Sequence, residues 1–194
     1  MTGPSWTTGC TCSVPVVLRL SELLGCRHYD PVVGMRTSYE RINDPEQMLN
    51  RIAKLGPRTI IFDVEPPVAF WDTDAATLDR GIASVLERLR DQASIEVVVF
   101  ATNAARHPTR TPSGQPRQQV VYLASARKPL RTKPYRSLPQ PGLVVGDQVP
   151  TDGLLARRLG YGFLHYQPQL PGTPRGPRAM RMLGRPLRPI LFIN

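Results

Sequence analysis

The chain has 194 residues, 41% of them hydrophobic, with 21 prolines, 15 glycines and a formal net charge of +10. That length suits one domain rather than two, with a packed core and a large irregular fraction. No run approaches the roughly 18 apolar residues of a membrane span, which excludes a transmembrane helix, and the charge favours anionic partners: phosphorylated metabolites, nucleic acid or an anionic lipid surface.

Residues 1–42 read as an N-terminal arm, partly irregular, with one short helix around Val16–Leu24. The start lacks a basic n-region, and its apolar run Val14–Leu18 is short. Three cysteines, an odd number, argue against a secreted disulfide framework. A cytoplasmic location is expected, peripheral to a membrane at most. Cys10, Cys12, Cys26 and His28 form a C-x-C…C-x-H pattern that could ligate zinc. The spacing departs from the usual C-x2–4-C, so unpaired thiols in a loose arm are the favoured reading.

The core is expected over residues 43–166. The stretch NDPEQMLNRIAKLG has Asp44 to cap a helix, Pro45 at its first position, Gln47 to complete a capping box and Gly56 to end it. Met48, Ile52 and Leu55 supply its apolar face. A strand, Thr59–Phe62, then leads to Asp63. A helix from about Asp74 carries Leu78, Ile82, Val85, Leu86 and Leu89 at helical spacing. Ile95–Ala101 is a continuous apolar, β-branched run, the pattern of a parallel strand buried on both faces. A polar loop over His107–Arg117 follows, then short strands at QVVYLA and at Gly142–Asp147. TDGLLARRLG predicts a helix capped by Thr151 or Asp152 and closed by Gly160, and Gly162–Tyr166 a fifth strand. Residues 167–194 read as a basic, proline-rich tail with Arg175, Arg178, Arg181, Arg185 and Arg188.

Strands alternating with helices predict an α/β fold, a Rossmann-like three-layer sandwich around a mainly parallel sheet. Such sheets bind ligands beyond the carboxyl ends of their strands. Those ends would carry Asp63 and Glu65, then Thr102 and Asn103, then Lys128, then Asp147 with Asp152 five positions on. Clustered carboxylates repel unless a cation holds them, and hard Mg²⁺ prefers oxygen ligands. A carboxylate can also act as a covalent nucleophile on phosphorus, with lysine, hydroxyl and amide groups holding the transferring phosphoryl oxygens. Singly, each of these residues is more often a helix cap or a solvated side chain. Their order along the chain makes the joint reading stronger than any one of them.

The segments FDVEPPVAFWD, FATN, ARKP and GDQVPTD resemble the four ordered motifs of the haloacid dehalogenase (HAD) superfamily. More narrowly they are similar to its YqeG-like branch, related to phosphatidylglycerophosphate phosphatases. The resemblance spans roughly Asn43 to Tyr166. It implies a HAD-type fold and a Mg²⁺-dependent phosphatase. Asp63 would be nucleophile and metal ligand. Residue 65 would lend its carbonyl to the metal and its side chain as acid and base. Thr102 and Asn103 would contact substrate phosphate, Lys128 would steady Asp63 and the phosphate, Asp147 would complete the metal site, and Asp152 would support it from behind.

The gaps from Asp63 to Thr102 and from Thr102 to Lys128 are too short for a cap domain. An uncapped site suits a bulky phosphorylated substrate or one presented at an anionic surface, such as a phosphatidylglycerophosphate-like lipid. The sequence departs from the family pattern at Glu65, where a second Asp is usual, and at Pro66 and Pro67, which remove two amide donors from the expected phosphate turn. Two readings follow. One is a working phosphatase with an altered acid/base, which is favoured. The other is a catalytically impaired protein of the same fold that binds phosphate-bearing partners. A nucleic-acid module lacks an aromatic platform or a recognisable motif and is not favoured. Phe70 and Trp71 are expected either to close the loop onto the sheet or to form an apolar lip beside the site.

Overall fold

The computed structural model describes residues 37–168 and 175–192. The short helix expected around Val16–Leu24, and Cys10, Cys12, Cys26 and His28, lie outside the described residues.

Six parallel strands form one open sheet: β1 (Tyr39–Ile42), β2 (Thr59–Asp63), β3 (Val97–Ala101), β4 (Gln119–Leu123), β5 (Gly142–Gly146) and β6 (Gly162–Tyr166). Their spatial order is β1-β6-β5-β2-β3-β4. The architecture is α/β, with helices on both faces of the sheet, as in a Rossmann-like three-layer sandwich. Neither the connection from β2 to β3 nor that from β3 to β4 contains an inserted domain; the first holds one helix and the second a loop.

The helices are α1 (Pro45–Leu55), α2 (Ala75–Arg88), α3 (Leu154–Leu159) and α4 (Arg175–Leu191). The first begins where the sequence predicts, with the Asp44 half of the expected capping box; the Gln47 side chain makes no return bond to the Asp44 amide among the described residues. The Asp44 carboxylate accepts from the Gln47 amide at 3.0 Å, Pro45 occupies the first turn, and Gly56 closes the helix in left-handed geometry. Asp74 caps α2 in the same way, accepting from the Thr77 amide at 2.7 Å.

Strand periodicity divides the core. Ile60 and Phe62 of β2 and Val98 and Phe100 of β3 face α1 and α2, joined by Met48, Ile52, Leu78 and Ile82. Ile61, Val97, Val99 and Val144 point the other way, onto Leu155, Leu159 and Phe192. Alternate residues therefore build two cores, and the central strands β2, β3 and β5 are buried at every position.

Two segments differ from the sequence expectation. Residues 39–42, read as part of an arm, form strand β1 and pair in parallel with Phe163–Tyr166 of β6. An edge strand of four residues, with Glu40 and Arg41 in its pattern, carries too weak an apolar run to announce itself. The basic segment read as a tail forms α4 despite Pro186 and Pro189. It is anchored by Gly184, Leu187, Leu191 and Phe192. A Cβ on Gly184 would lie 3.2 Å from Pro150 and Val149, so the small residue sets how closely α4 approaches the turn at Val149–Gly153.

The chain moves outward from β2 through β3 to β4, then returns to β5 on the other side of β2. The point of reversal lies between β2 and β5, whose ends are brought level by the pairing of Phe62 with Val145. That is where an open parallel sheet leaves a crevice at its carboxyl edge.

Phe62 and Phe100 stack with ring centroids 5.8 Å apart and are fully buried. Phe100→Ala should lower stability by about 3–5 kcal/mol, read as a fall in the urea midpoint with an unchanged slope.

Candidate metal centre

Asp63 is the last residue of β2, and Asp147 follows directly on β5. With Asp152 they form a buried trio, each offering a carboxylate oxygen within 4.8 Å of the others. Lys128 joins them. Its ammonium lies 2.8 Å from Asp63 Oδ1 and 2.8 Å from Asp152 Oδ1.

Local backbone geometry delivers each group. Asp152 does not cap α3, as its sequence position suggests. It lies in a single π-helical turn, Val149–Gly153, whose amide at Asp152 donates to the Gln148 carbonyl at 2.8 Å. The side chain folds back to accept from the Gln148 amide at 3.3 Å and from Lys128. Gly146 makes room for it: a Cβ there would fall 2.4 Å from the Asp152 carboxyl group. Lys128 ends a loop in which Ser125 and Arg127 adopt left-handed backbone angles around buried Ala126. Asn103 clamps this loop with both ends of its amide. Its Oδ1 accepts from the Lys128 amide at 2.7 Å, and its Nδ2 donates to the Lys128 carbonyl at 3.1 Å. Asn103, expected to touch substrate, is thus engaged in placing Lys128.

Glu65 and Thr102 form a neighbouring pair. The Thr102 hydroxyl donates to Glu65 Oε2 at 2.8 Å and accepts from the Ala104 amide at 3.0 Å. Arg106 approaches Glu65 Oε1 at 3.3 Å while donating to the carbonyls of Phe70 and Thr73 at 2.9 and 3.0 Å. Glu65 is therefore held as an acceptor by a hydroxyl and a guanidinium. The turn that contains it has few free donors. The Val64 amide bonds Ala101, and those of Val68 and Ala69 both bond the Val64 carbonyl. Pro66 and Pro67 have no amide hydrogen. Phe70 is 46% exposed, whereas Trp71 is half-buried.

Three residues that sequence reasoning left out of the site reach it. Arg181 of α4 donates to Asp147 Oδ2 from Nη2 at 3.2 Å and from Nε at 3.3 Å. The spacing of arginines 175, 178, 181, 185 and 188, three or four apart, is the helical signal that would have placed it. His165 lies beneath Asp147, its Nε2 at 3.0 Å from the Asp147 carbonyl and its Nδ1 at 2.8 Å from the Tyr39 hydroxyl. The Tyr135 hydroxyl is buried without a hydrogen-bond partner among the described residues. No spacing in the sequence marks these last two.

The electrostatics show what the trio lacks. Three aspartates face two cations, Lys128 and Arg181, so full ionisation leaves one negative charge uncompensated in a buried site. Burial, and then the neighbouring Asp152, push Asp147 up to about 7 and hold Asp63 well above the usual carboxylate range. Burial opposes the charge on Lys128, but Asp152 and Asp63 outweigh it and keep the ammonium protonated. Burial depresses His165 to about 4, leaving a neutral ring.

A divalent cation fits this set. Every donor is a carboxylate oxygen, the chemistry that hard cations require. Asp147 Oδ1 is buried and has no hydrogen-bond partner among the described residues. Comparison with protein-family models, with curated proteins and with solved structures returned no match to this chain.

A cation that needs ionised carboxylates must displace the protons the trio retains. Asp147 is raised from its ordinary 3.8, so its contribution to metal-free stability is complete below about 4 and lost as pH rises through about 7. A divalent cation seated there, tested with Mg²⁺, should accordingly raise the melting temperature more at pH 8 than at pH 6. Comparing samples with and without Mg²⁺ at each pH cancels the opposite acid loss from His165. Asp147→Asn should largely remove the Mg²⁺ effect.

Proposed function

We propose that this protein is a Mg²⁺-dependent phosphoric monoester hydrolase of HAD type, acting through a phosphorylated Asp63. The observation that carries the reading is the trio Asp63, Asp147 and Asp152 gathered by Lys128 at the crevice between β2 and β5. Each of the four motif-bearing segments supplies a buried polar residue that supports this reading: Asp63 and Glu65, Thr102, Lys128, and Asp147 with Asp152.

In this reading Asp63 and Asp147 would hold the cation, with Asp152 beside them. The cation supplies charge neutralisation for the phosphoryl oxygens. Asp63 attacks phosphorus with one carboxylate oxygen as the bond to the leaving oxygen breaks. The leaving oxygen takes a proton from the Glu65 carboxyl. Water then attacks the phosphorus, giving its proton to Glu65, and the bond to Asp63 breaks, which regenerates the carboxylate. Lys128 keeps Asp63 aligned and lowers the cost of anion approach. The Thr102 hydroxyl is placed to donate to a phosphoryl oxygen once it leaves Glu65. With no domain inserted over the strand ends, a bulky or surface-presented substrate such as a phosphatidylglycerophosphate-like lipid fits better than a small enclosed one.

One observation favours a second reading, a protein of this fold that binds phosphate-bearing partners with little turnover. Glu65 has one oxygen bound to Thr102 and the other to Arg106, so both are engaged within the protein rather than open to a leaving group. Its turn also offers few amides to a phosphate.

Purified protein with Mg²⁺ should hydrolyse an aryl phosphate, and Asp63→Asn should reduce this to background. Thr102→Val should lower turnover by about 10²-fold, the usual cost of one oxyanion donor. No turnover on a broad phosphomonoester panel, with Mg²⁺-linked phosphate binding retained, would establish the second reading instead. Absence of both would remove both readings.

A further inference from the structure

A cleft of about 640 Å³ adjoins Asp147 on the edge of the sheet formed by β1 and β6. Arg41 of β1 and Arg181, Arg185 and Arg188 of α4 line it, with His165 and Tyr39. Four arginines thus line a cleft whose one acidic lining residue, Asp147, is already paired with Arg181. His165 cannot balance them, because its neutral ring carries no negative charge; its nitrogens are engaged with Tyr39 and with the Asp147 carbonyl.

The donors of these arginines are largely unused. Arg181 is held on Asp147. Arg188 packs over the Tyr39 ring at 5.5 Å from its centroid. Among the described residues, Arg41, Arg185 and Arg188 have neither a hydrogen bond nor an ion pair through their guanidinium groups. Like charges brought into one concave space repel, and the repulsion is relieved by an anion seated among them. Guanidinium is the cation best shaped for phosphate, because its planar fork gives two parallel hydrogen bonds to two oxygens. The size of the cleft is in the range that takes an organic ligand rather than a lone ion.

We propose that this cleft is a second anion site, which holds a phosphate group on Arg41, Arg185 and Arg188 without a metal ion. It is separate from the carboxylate trio, where an anion without a cation would meet three aspartates. The two sites share Asp147 as a wall. The proposal does not depend on hydrolysis, since binding here needs neither Mg²⁺ nor Asp63.

Calorimetric titration of metal-depleted protein with inorganic pyrophosphate, and separately with inorganic phosphate, tests it. Saturable binding at one site is expected, and Arg41→Gln/Arg185→Gln should weaken it by about tenfold or more, the effect of losing about 1.4 kcal/mol. Arg131→Gln/Arg136→Gln, at exposed arginines outside the cleft, should bind as the parent does. The single variants Arg41→Gln and Arg185→Gln should each show part of the loss, so the result does not hang on one double variant folding. Both side chains are exposed, and thermal melting checks the fold. Non-saturable binding, or an equal loss in the two double variants, would overturn the site and leave a diffuse basic surface. A protein that binds pyrophosphate here and hydrolyses nothing would sink the hydrolase reading alone.

Discussion

The contact on which the site depends is the buried ammonium of Lys128 shared between Asp63 and Asp152. Three carboxylates within 4.8 Å of one another would not stay ionised in a dry crevice. The lysine removes part of that repulsion, and a large amount of backbone is arranged to hold it there. Two left-handed residues, the Asn103 clamp and the absence of a side chain on Gly146 all act on the positions of Lys128 or Asp152. Each departs from what a plain strand or helix would do. Such local cost is tolerated where surrounding structure over-determines it.

The compensation is incomplete, and that shapes the chemistry. Arg181 covers one oxygen of Asp147 while the other stays buried without a partner among the described residues. Asp147 and Asp63 are both pushed toward the protonated form. A group of acids held close and short of one positive charge is a natural place for a cation. The same shortage makes the metal-free site sensitive to pH in the neutral range.

Helix α4 has two faces with different duties. Leu187 and Leu191 pack it into the core with Val144, Leu155 and Phe163, and Gly184 lets it approach the Val149–Gly153 turn. Arg181, Arg185 and Arg188 line the cleft beside Asp147, and Met182, Leu183 and Ile190 are exposed. The segment is helical although Pro186 and Pro189 deprive it of two donors, so packing rather than propensity holds it in place.

Much of this was legible in the amino-acid sequence, because the relevant information is local. Thr59–Asp63 and Val97–Ala101 are apolar at every position, as a strand buried on both faces demands, and Asp44 and Gly56 bound their helix by hydrogen bonds to near neighbours. The ordering of Asp63, Thr102, Lys128 and Asp147 at successive strand ends follows from a parallel sheet, which puts all its strand ends on one edge. Long-range facts were out of reach. The stretch DVEPP could be read as an acid beside an altered turn, but not that Glu65 is gripped by Thr102 and Arg106. Asp152 looked like a helix cap and became a partner of Lys128, since a π-helical turn re-aims it. Residues 39–42 and 175–191 had too little apolar pattern of their own. They are ordered by what they pack against, β6 in one case and the Val149–Gly153 turn in the other. The sequence by itself therefore determined the layered fold and the chemical types at the strand ends, which depend on periodicity and order. Only the tertiary structure decided which charges meet, because a contact such as Arg181 with Asp147 joins residues whose separation in the chain says nothing about their distance in space.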